Sequence, residues 1–251
     1  MLLDQRRDII LELIERKGFV SLKDLSEQSR ASESTVRRDL EYLETIGQIR
    51  RTRGGAAYVG ETLTGFDDRR ALSSKEKQRI GRRVAELIGA SETIILDGGT
   101  TTLEVAKNLG GNSLQVVTNS LPIANHLVGV SDVELVFVGG YLYPKTGVVL
   151  GDLTVAALQQ IHARRLIMGV GGITEQGLFN SNSLLVETER QMMASADEVI
   201  VVADSTKFGH SELVRLCGLD AVHRLVVDTG LSPVWRQRLQ DYGIDVIVAD
   251  E

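Results

Sequence analysis

Two groups of positively charged side chains lie close together near the amino terminus, at Arg37–Arg38 and Arg50–Arg53. A guanidinium group pairs bidentately with guanine or clamps a phosphate. Thr35 precedes the first group, and its short hydroxyl side chain allows close approach to a polyanion. These residue types at this spacing predict contacts with the backbone and the bases of double-stranded DNA.

Three short amphipathic segments position these side chains. The first covers residues 4–17, the second starts at the capping-box-like Ser21–Asp24, and the third begins at Ser32, a typical N-cap residue. In the third segment apolar side chains repeat at helical spacing and face a core: Val36, Leu40 and Leu43. The arrangement predicts a helix-turn-helix whose third helix enters the major groove.

A basic hairpin follows the third helix. Residues 49–53, a Gly54–Gly55 turn and residues 56–58 predict a two-stranded wing. The predicted DNA-contacting residues are Ser21, Ser32, Ser34, Thr35, Arg37, Arg38, Tyr42, Arg50, Arg51 and Arg53. The alternative is a small helical domain with a solvated Arg-Arg pair.

The overall net charge of −6 does not exclude DNA binding. Residues 1–57 hold 11 basic and 10 acidic side chains, whereas the remainder holds 17 basic and 24 acidic ones. The acidity therefore belongs to the second part of the chain. Screening limits its reach to about 10 Å, so a local basic patch is sufficient to contact phosphates.

The second part alternates apolar strands with amphipathic helices, which predicts an α/β fold with a mainly parallel sheet. Predicted strands lie near residues 93–96, 114–117, 134–138, 165–168, 198–202, 224–227 and 245–248. We expect a winged helix-turn-helix over residues 1–57, a linker over 58–74 and an α/β domain over 75–251. The Asp67–Arg70 run is either solvated linker or a contact with a neighbouring subunit.

Small or polar residues follow most of the predicted strands, at the edge of the sheet where α/β proteins bind ligands. Asp97–Thr102 joins a strand to a helix and is the best candidate to hold a phosphate. The predicted ligand-binding residues are Asp97, Gly98, Gly99, Thr100, Thr101, Thr102, Asn119, Ser120, Gly139, Gly140, Gly169, Gly171, Gly172 and Lys207. The alternative is an ordinary glycine turn with Lys207 in solvent.

Other chemistries lack their sequence signals. The chain has neither a Gly-x-x-x-x-Gly-Lys-Ser/Thr loop nor a clean Gly-x-Gly-x-x-Gly motif, and its four histidines lack metal-ligand spacing. We therefore expect no metal and no cofactor. One cysteine, Cys217, suits a reducing cytoplasm, and the absence of an apolar run of about 18 residues argues against a membrane span.

The stretch Val20–Ala57 contains Ser-Thr-Val-Arg-Arg-Asp-Leu at residues 34–40 and Arg-Thr-Arg-Gly-Gly-Ala at residues 51–56. It resembles the DeoR family of bacterial transcription regulators, and the resemblance continues to about residue 230. It implies a sugar-phosphate sensor domain similar to ribose-5-phosphate isomerase and glucosamine-6-phosphate deaminase. It also implies that Gly98–Thr102 holds the phosphate and that Glu187 lies beside the ligand. An ion pair between Glu187 and Arg190 is the alternative role of Glu187.

The expected function is a transcriptional repressor of a carbohydrate-metabolism operon whose operator binding responds to a phosphorylated sugar. The alternative is a sugar-phosphate isomerase or deaminase that carries a DNA-binding head. Expected partners are double-stranded operator DNA, a sugar phosphate and further copies of the chain in a dimer or tetramer, with no membrane involved. Residues 141–149 and 177–183 are expected to set effector specificity.

Overall fold

The computed structural model describes residues 3–17, 19–45, 49–52, 54–58, 66–111 and 113–250. The chain divides into two compact units, Met1–Asp68 and Arg69–Glu251. The division falls inside the segment expected to be a linker. Gly18, Gly47 and Arg53, which the sequence places at two helix ends and in the wing, lie outside the described residues.

The first unit contains three helices and a small antiparallel sheet. Its elements are α1 (Leu3–Lys17), β1 (Phe19–Ser21), α2 (Leu22–Ser29), α3 (Glu33–Thr45), β2 (Ile49–Thr52) and β3 (Gly55–Tyr58). Fully buried apolar side chains from all three helices form one core, which includes Ile10, Ile14, Leu25, Val36 and Leu40. The helical spacing of these residues is what the sequence predicted.

The predicted two-stranded wing is present as β2 and β3, and β1 adds a third strand that the sequence did not predict, in the order β1-β3-β2. Val20 pairs with Ala56, and Ser21 pairs with Gly55. A Cβ on Gly55 would lie 2.1 Å from the carbonyl oxygen of Val20, so only glycine allows this approach. Three residues are too few for a recognisable alternation of side chains, which is why β1 gave no sequence signal.

The second unit begins within α4 (Phe66–Ala71), so a helix occupies part of the expected linker. Its further helices are α5 (Ser74–Ala85), α6 (Thr100–Ala106), α7 (Leu121–Leu127), α8 (Asp152–Leu158), α9 (Ser183–Ala194) and α10 (Pro233–Asp241). Its strands are β4 (Thr93–Leu96), β5 (Leu114–Thr118), β6 (Val133–Phe137), β7 (Tyr141–Tyr143), β8 (Val148–Leu150), β9 (Ala163–Met168), β10 (Gly172–Thr174), β11 (Gly177–Asn180), β12 (Ala196–Val202), β13 (Val214–Cys217), β14 (Arg224–Asp228) and β15 (Asp245–Ala249).

Seven strands form one parallel sheet in the order β15-β14-β12-β9-β4-β5-β6. The chain steps outward from β4 in one direction through β5 and β6, and from β9 in the other through β12, β14 and β15. The topological switch point therefore lies between β4 and β9, where ligands bind in such sheets. Because all seven strands are parallel, their carboxyl ends meet at one edge, which we call the carboxyl edge.

The central strands are apolar on both faces because helices cover both sides of a parallel sheet. Ile95, Leu166, Met168, Val201 and Val227 are all buried in the main core. The predicted α/β class is thus confirmed, as a helix-turn-helix unit followed by a parallel-sheet α/β unit.

Two smaller pieces of sheet gave no clear sequence signal. β7 and β8 form an antiparallel hairpin, and β10, β11 and β13 form a three-stranded antiparallel sheet. Their strands are only three or four residues long, too short to reveal a period. None of the described helices combines the length and the hydropathy needed to cross a bilayer.

A ladder of ion pairs crosses the opposite, amino-terminal edge of the large sheet. Arg165 is buried and pairs with Glu92 and with Glu198, whose carboxylate lies 2.6 Å from the Arg165 Nε. Arg224 continues the ladder to Glu198 and Asp245, at 3.1 and 3.3 Å. Charges at this edge are thus matched within the fold, which fits a structural role.

Candidate functional sites

Helix α3 exposes the side chains that the sequence predicted to contact DNA. Ser32, Ser34, Arg37 and Arg38 are exposed, while the Thr35 side chain is half-buried. The Arg37 side chain is 65% exposed, and its contact with Glu33 is a long one of 3.7 Å. The polar face is therefore accessible, and the residues between these positions anchor the helix in the core.

The two predicted serines at helix starts are helix caps. The Ser21 hydroxyl accepts a hydrogen bond from the Asp24 backbone N–H at 3.1 Å, and the Ser32 hydroxyl accepts one from that of Thr35 at 3.3 Å. The Ser32 Oγ also lies 2.9 Å from the hydroxyls of Ser34 and Thr35. Both serines therefore fix the starts of α2 and α3, whatever else they contact.

Asp39 follows the Arg37–Arg38 pair but is buried, and it attaches α3 to α1. Its carboxylate accepts hydrogen bonds from the Nε atoms of Arg6, at 2.6 Å, and Arg7, at 3.2 Å. The Arg7 guanidinium in turn lies 3.7 Å from the centre of the Tyr42 ring. The sequence did not reveal the structural role of Asp39. It predicted a DNA contact for Tyr42 but did not indicate that Tyr42 also makes a cation–π contact within the chain.

Arg51 is held by carboxylates of α3. Its Nε donates to Glu44 at 2.5 Å, its Nη1 donates to Glu41 at 2.9 Å, and its backbone N–H donates to Glu44 at 2.8 Å. These hydrogen bonds, first to Glu44 and then to Glu41, raise the pKa of Arg51 above its ordinary value. Arg51 thus attaches the wing to α3. Arg50 lies in β2.

In the second unit, Asp97 directly follows β4 and is buried at the carboxyl edge. The backbone N–H groups of Gly98 and Gly169 donate to its carboxylate, and they join the ends of the neighbouring strands β4 and β9. Burial nevertheless dominates and raises its pKa from 3.8 to about 7. Asp97 can therefore exist with or without its proton near neutral pH.

The loop after β5 is bound to the hairpin of β7 and β8. The Asn119 side-chain amide donates to the carbonyl of Val149 at 3.1 Å, and the Val149 N–H donates to the Asn119 carbonyl at 2.9 Å. Ser120 caps α7 and bridges to Val148. A Cβ on Gly98 would lie 2.1 Å from Val148 Cγ1. The structure thus brings the predicted Gly98, Asn119 and Ser120 together beneath this hairpin.

The predicted threonines Thr100, Thr101 and Thr102 begin α6 and are all buried, and Gly99 is its N-cap residue. The Thr102 hydroxyl donates to the Gly99 carbonyl at 3.1 Å, so it serves the loop's own geometry.

The predicted glycines fall into two groups. A Cβ on Gly139 or Gly169 would meet nothing within 4 Å, so these two residues border open space. A Cβ on Gly140 would lie 2.0 Å from Thr154 Oγ1, and one on Gly172 would lie 2.3 Å from the His210 carbonyl oxygen. A Cβ on Gly171 would lie 2.7 Å from Glu212 Cγ. Packing alone explains glycine at the second group.

Glu187 lies exposed on α9. The alternative that it pairs with Arg190 is wrong, because the Arg190 guanidinium donates to the carbonyls of Leu216 and Arg215, at 2.9 and 2.7 Å. Glu189 is the buried acid of this helix and accepts a hydrogen bond from Asn180 at 2.5 Å. Sequence reasoning missed Glu189, although a carboxylate amid apolar positions of a helix is a signal that could have found it.

Lys207 follows β12 in a 3₁₀ turn, Ser205–Lys207, at the carboxyl edge and is half-buried. Burial and then the nearby Lys207 charge lower the pKa of His210. The carboxylate of Asp228 at the end of β14 accepts from the Ser205 N–H and hydroxyl, at 2.5 and 2.9 Å, and so fixes this turn.

Two buried oxygen atoms at the carboxyl edge lack a hydrogen-bond donor among the described residues, Asp97 Oδ1 and Asn119 Oδ1. Buried polar atoms are nearly always satisfied, so each of these oxygens can accept a hydrogen bond from a water molecule or a ligand. Among the described residues, no group of three His, Cys, Asp or Glu side chains is placed to hold a metal ion.

The sequence matches two family descriptions. Residues 6–62 match the DeoR-like helix-turn-helix domain, and residues 72–229 match the DeoR C terminal sensor domain. Among solved structures, ribose 5-phosphate isomerase A from Methanocaldococcus jannaschii aligns with a TM-score of 0.40 at 15% identity, over 54% of this chain and 55% of the other. The translation initiation factor eIF-2B of Pyrococcus horikoshii OT3 aligns with a TM-score of 0.39 at 18% identity, over 85% and 69%.

Curated relatives match over nearly their whole length. The glycerol-3-phosphate regulon repressor of Escherichia coli K12 is 34% identical over 96% of this chain and 97% of its own. The putative aga operon transcriptional repressor of Escherichia coli O157:H7 is 32% identical over 98% and 94%. The repressor GlcR of Bacillus subtilis is 28% identical over 99% and 97%. The chain therefore belongs to the DeoR family of transcriptional regulators.

Proposed function

We propose that this regulator represses a carbohydrate-metabolism operon and that a phosphorylated sugar metabolite modulates its operator binding. The observation that carries the DNA half is the exposed polar face of α3, whose opposite face and Asp39 are fixed in the first unit. A rigid helix that presents arginines and hydroxyls at its start is suited to the major groove. Such a protein acts in the cytoplasm, where bacterial DNA lies.

On the DNA, Arg37 and Arg38 contact base edges or phosphates, and Ser34 and Thr35 bind the backbone. Tyr42, Arg50, Arg51 and Arg53 complete the predicted surface. Arg51 has to exchange its bonds to Glu41 and Glu44 for any contact with a phosphate, because it cannot make both sets fully. We therefore expect it to contribute less than Arg38.

The effector occupies the carboxyl edge of the sheet. The predicted cradle of Gly98–Thr102 and Lys207 supplies backbone N–H groups and a positive charge for a phosphate. Asp97 and Asn119 offer buried acceptor oxygens that sugar hydroxyls can satisfy. The names of the relatives, a glycerol-3-phosphate regulon repressor among them, support a small phosphorylated metabolite.

The effector can change DNA binding only if it binds the DNA-competent and incompetent states with different affinity. Helix-turn-helix proteins read paired half-sites, so we expect a dimer or tetramer. The enzyme alternative falls, since relatives above 30% identity over nearly their whole length are transcriptional repressors.

Fluorescence anisotropy with labelled DNA from upstream of the protein's own gene tests this proposal. The titrations include glycerol 3-phosphate, fructose 6-phosphate, glucosamine 6-phosphate and their unphosphorylated counterparts. The expected result is that one phosphate shifts the operator Kd while its parent compound does not. Operator binding that ignores every phosphorylated compound would contradict the effector class and leave the DNA-binding half intact.

A further inference from the structure

The β7–β8 hairpin ends beside the predicted phosphate loop. The Leu121 N–H donates to the Gly147 carbonyl at 2.8 Å, and residues 119 and 149 share two further hydrogen bonds. Val148 packs against Gly98, and Pro122 lies against Gly147. The hairpin turn that carries Lys145 is therefore fixed at the rim of the carboxyl edge, next to Gly98.

A second cation reaches the same rim from the other flank of the loop. Helices α5 and α6 pack closely, since a Cβ on Gly81 would lie 2.5 Å from the Glu104 carbonyl carbon. In the chain, α5 precedes β4 and α6 follows it. Because β4 runs toward the carboxyl edge, both helices start on the side of that edge. The Lys77 ammonium donates to the Arg69 carbonyl at 2.6 Å and ties α4 to the start of α5. Arg69 is buried, and its backbone is held beside Lys77 on α5.

Arg69 and Lys145 are near enough to repel each other. The pKa of Lys145 is lowered by its burial and by the positive charge of Arg69. Among the described residues, no carboxylate forms an ion pair with Lys145. Lys145 thus places a positive charge without a paired carboxylate among the described residues beside the predicted phosphate loop Gly98–Thr102, and this favours an anionic ligand there.

The polar atoms nearby are of two kinds, hydrogen-bond donors and hydrogen-bond acceptors. Thr146, next to Lys145 in the hairpin turn, has a buried hydroxyl oxygen with no partner among the described residues. A hydroxyl can donate to an anion, as can the ammonium and guanidinium groups. Asp97 Oδ1 and Asn119 Oδ1, also buried without a partner there, are acceptors that suit the hydroxyl groups of a sugar.

We propose that Lys145 and Thr146 of the hairpin turn bind the phosphate of the effector together with Arg69, and that Asp97 and Asn119 bind its hydroxyl groups. This inference rests on the proposed function and fixes the direction of the ligand in the site. It also names one residue through which the 141–149 segment selects phosphorylated over unphosphorylated sugars.

Calorimetric titration of the full chain with inorganic phosphate, glycerol 3-phosphate, fructose 6-phosphate and the parent compounds glycerol and fructose tests it. Lys145→Met removes the charge and keeps the apolar stem, and Lys145→Arg keeps the charge. Arg236→Gln, on α10 beside the edge strand β15, is the matched control for loss of one positive charge. Thermal unfolding without ligand checks that each variant remains folded.

For compounds that the native protein binds, we expect Lys145→Met to weaken phosphate affinity about tenfold to a hundredfold. Lys145→Arg and Arg236→Gln should remain within about threefold of the native value, and affinity for glycerol or fructose should not change. Two results would contradict a role of Lys145 in binding the phosphate. Either Lys145→Met binds phosphorylated compounds as tightly as the native protein does, or it loses affinity equally for phosphorylated and unphosphorylated compounds. If the native protein binds no phosphate compound, the proposed effector class fails and this inference fails with it.

Discussion

Some polar side chains of this protein find hydrogen-bond or ion-pair partners within the fold, and others do not. Asp39 and Arg51 form ion pairs with partners in the first unit, whereas Arg38 is exposed on α3. Asp97 and Asn119 each keep a buried oxygen without a donor among the described residues. Side chains with partners inside the fold stabilise it, and unsatisfied or exposed ones are available to a ligand.

Arg38→Ala should weaken operator binding about tenfold or more because an Arg contact to a base or phosphate is lost. If Arg38 contacts a phosphate, the slope of log K against log salt should fall by about 0.9. Anisotropy titrations at several salt concentrations measure both quantities, with Arg236→Gln as the control. Native affinity in Arg38→Ala would remove this residue from the DNA surface.

Asp97 should make stability depend on pH. Its pKa is raised from 3.8 to about 7, so the folded state holds a proton that the unfolded chain releases between these values. The stability of the native protein should therefore fall as pH rises toward 7 and level off above it. Relative to Asp97→Asn, urea unfolding should show a loss of about 3 kcal/mol between pH 5 and pH 8. Parallel profiles for the two proteins would argue against this protonation.

At the scale of elements, the two edges of the large sheet carry different chemistry. The amino-terminal edge has the ion-pair ladder through Arg165 and Arg224. The carboxyl edge has glycines and buried oxygens that lack a hydrogen-bond donor among the described residues. The hairpin of β7 and β8 lies at the carboxyl edge, where it is hydrogen-bonded to Asn119 and packs against Gly98. The short loops at the carboxyl edge can therefore bind a ligand, while the ion pairs at the amino-terminal edge stabilise the pairing of the strands.

Arg165→Met should destabilise the second unit by about 3–5 kcal/mol, because it leaves the carboxylates of Glu92 and Glu198 without their buried partner. Urea unfolding followed by far-UV circular dichroism measures the loss. Arg164→Met, at an exposed side chain on the same strand with only a long contact to Glu92, should change stability by less than about 1 kcal/mol. Equal effects of the two substitutions would show that the ladder is not special.

Gly98→Ala should displace the hairpin, since the new Cβ would lie 2.1 Å from Val148 Cγ1. Overpacking of this kind costs about 1–3 kcal/mol and should also reduce effector affinity. Val148→Ala in the same chain removes the clashing methyl and should restore part of both losses. Calorimetry and thermal unfolding of the single and double variants test this, and the absence of any rescue would mean that Gly98 is needed for another reason.

At the scale of the whole molecule, the two units carry different tasks. Each has its own apolar core, one built on Ile10, Ile14 and Leu25 and the other on the central strands of the parallel sheet. A fragment of residues 69–251 should therefore fold alone and bind the effector, yet have no affinity for the operator. Circular dichroism, calorimetry and anisotropy on the fragment test the three statements, and failure to fold would show that the units depend on each other.

The sequence by itself determined the order of the two units, the α/β class and the positions of most helices and central strands. These depend on local periodicity and capping, as in Val36, Leu40 and Leu43 of α3 and the apolar run of β4, which nearby residues suffice to specify. The family motifs at residues 34–40 and 51–56 likewise gave the regulator class, which the family matches confirmed.

Only the tertiary structure decided which polar residues are satisfied and which are not. Asp39 and Arg38 are adjacent in sequence, yet one is buried against Arg6 and the other is exposed. Lys145 and Arg69 are far apart in the chain but near each other in the structure. The surroundings that leave one oxygen each of Asp97 and Asn119 without a donor among the described residues also come from distant segments. Such contacts arise when the strands and the hairpin pack together, so no local pattern of residue types encodes them.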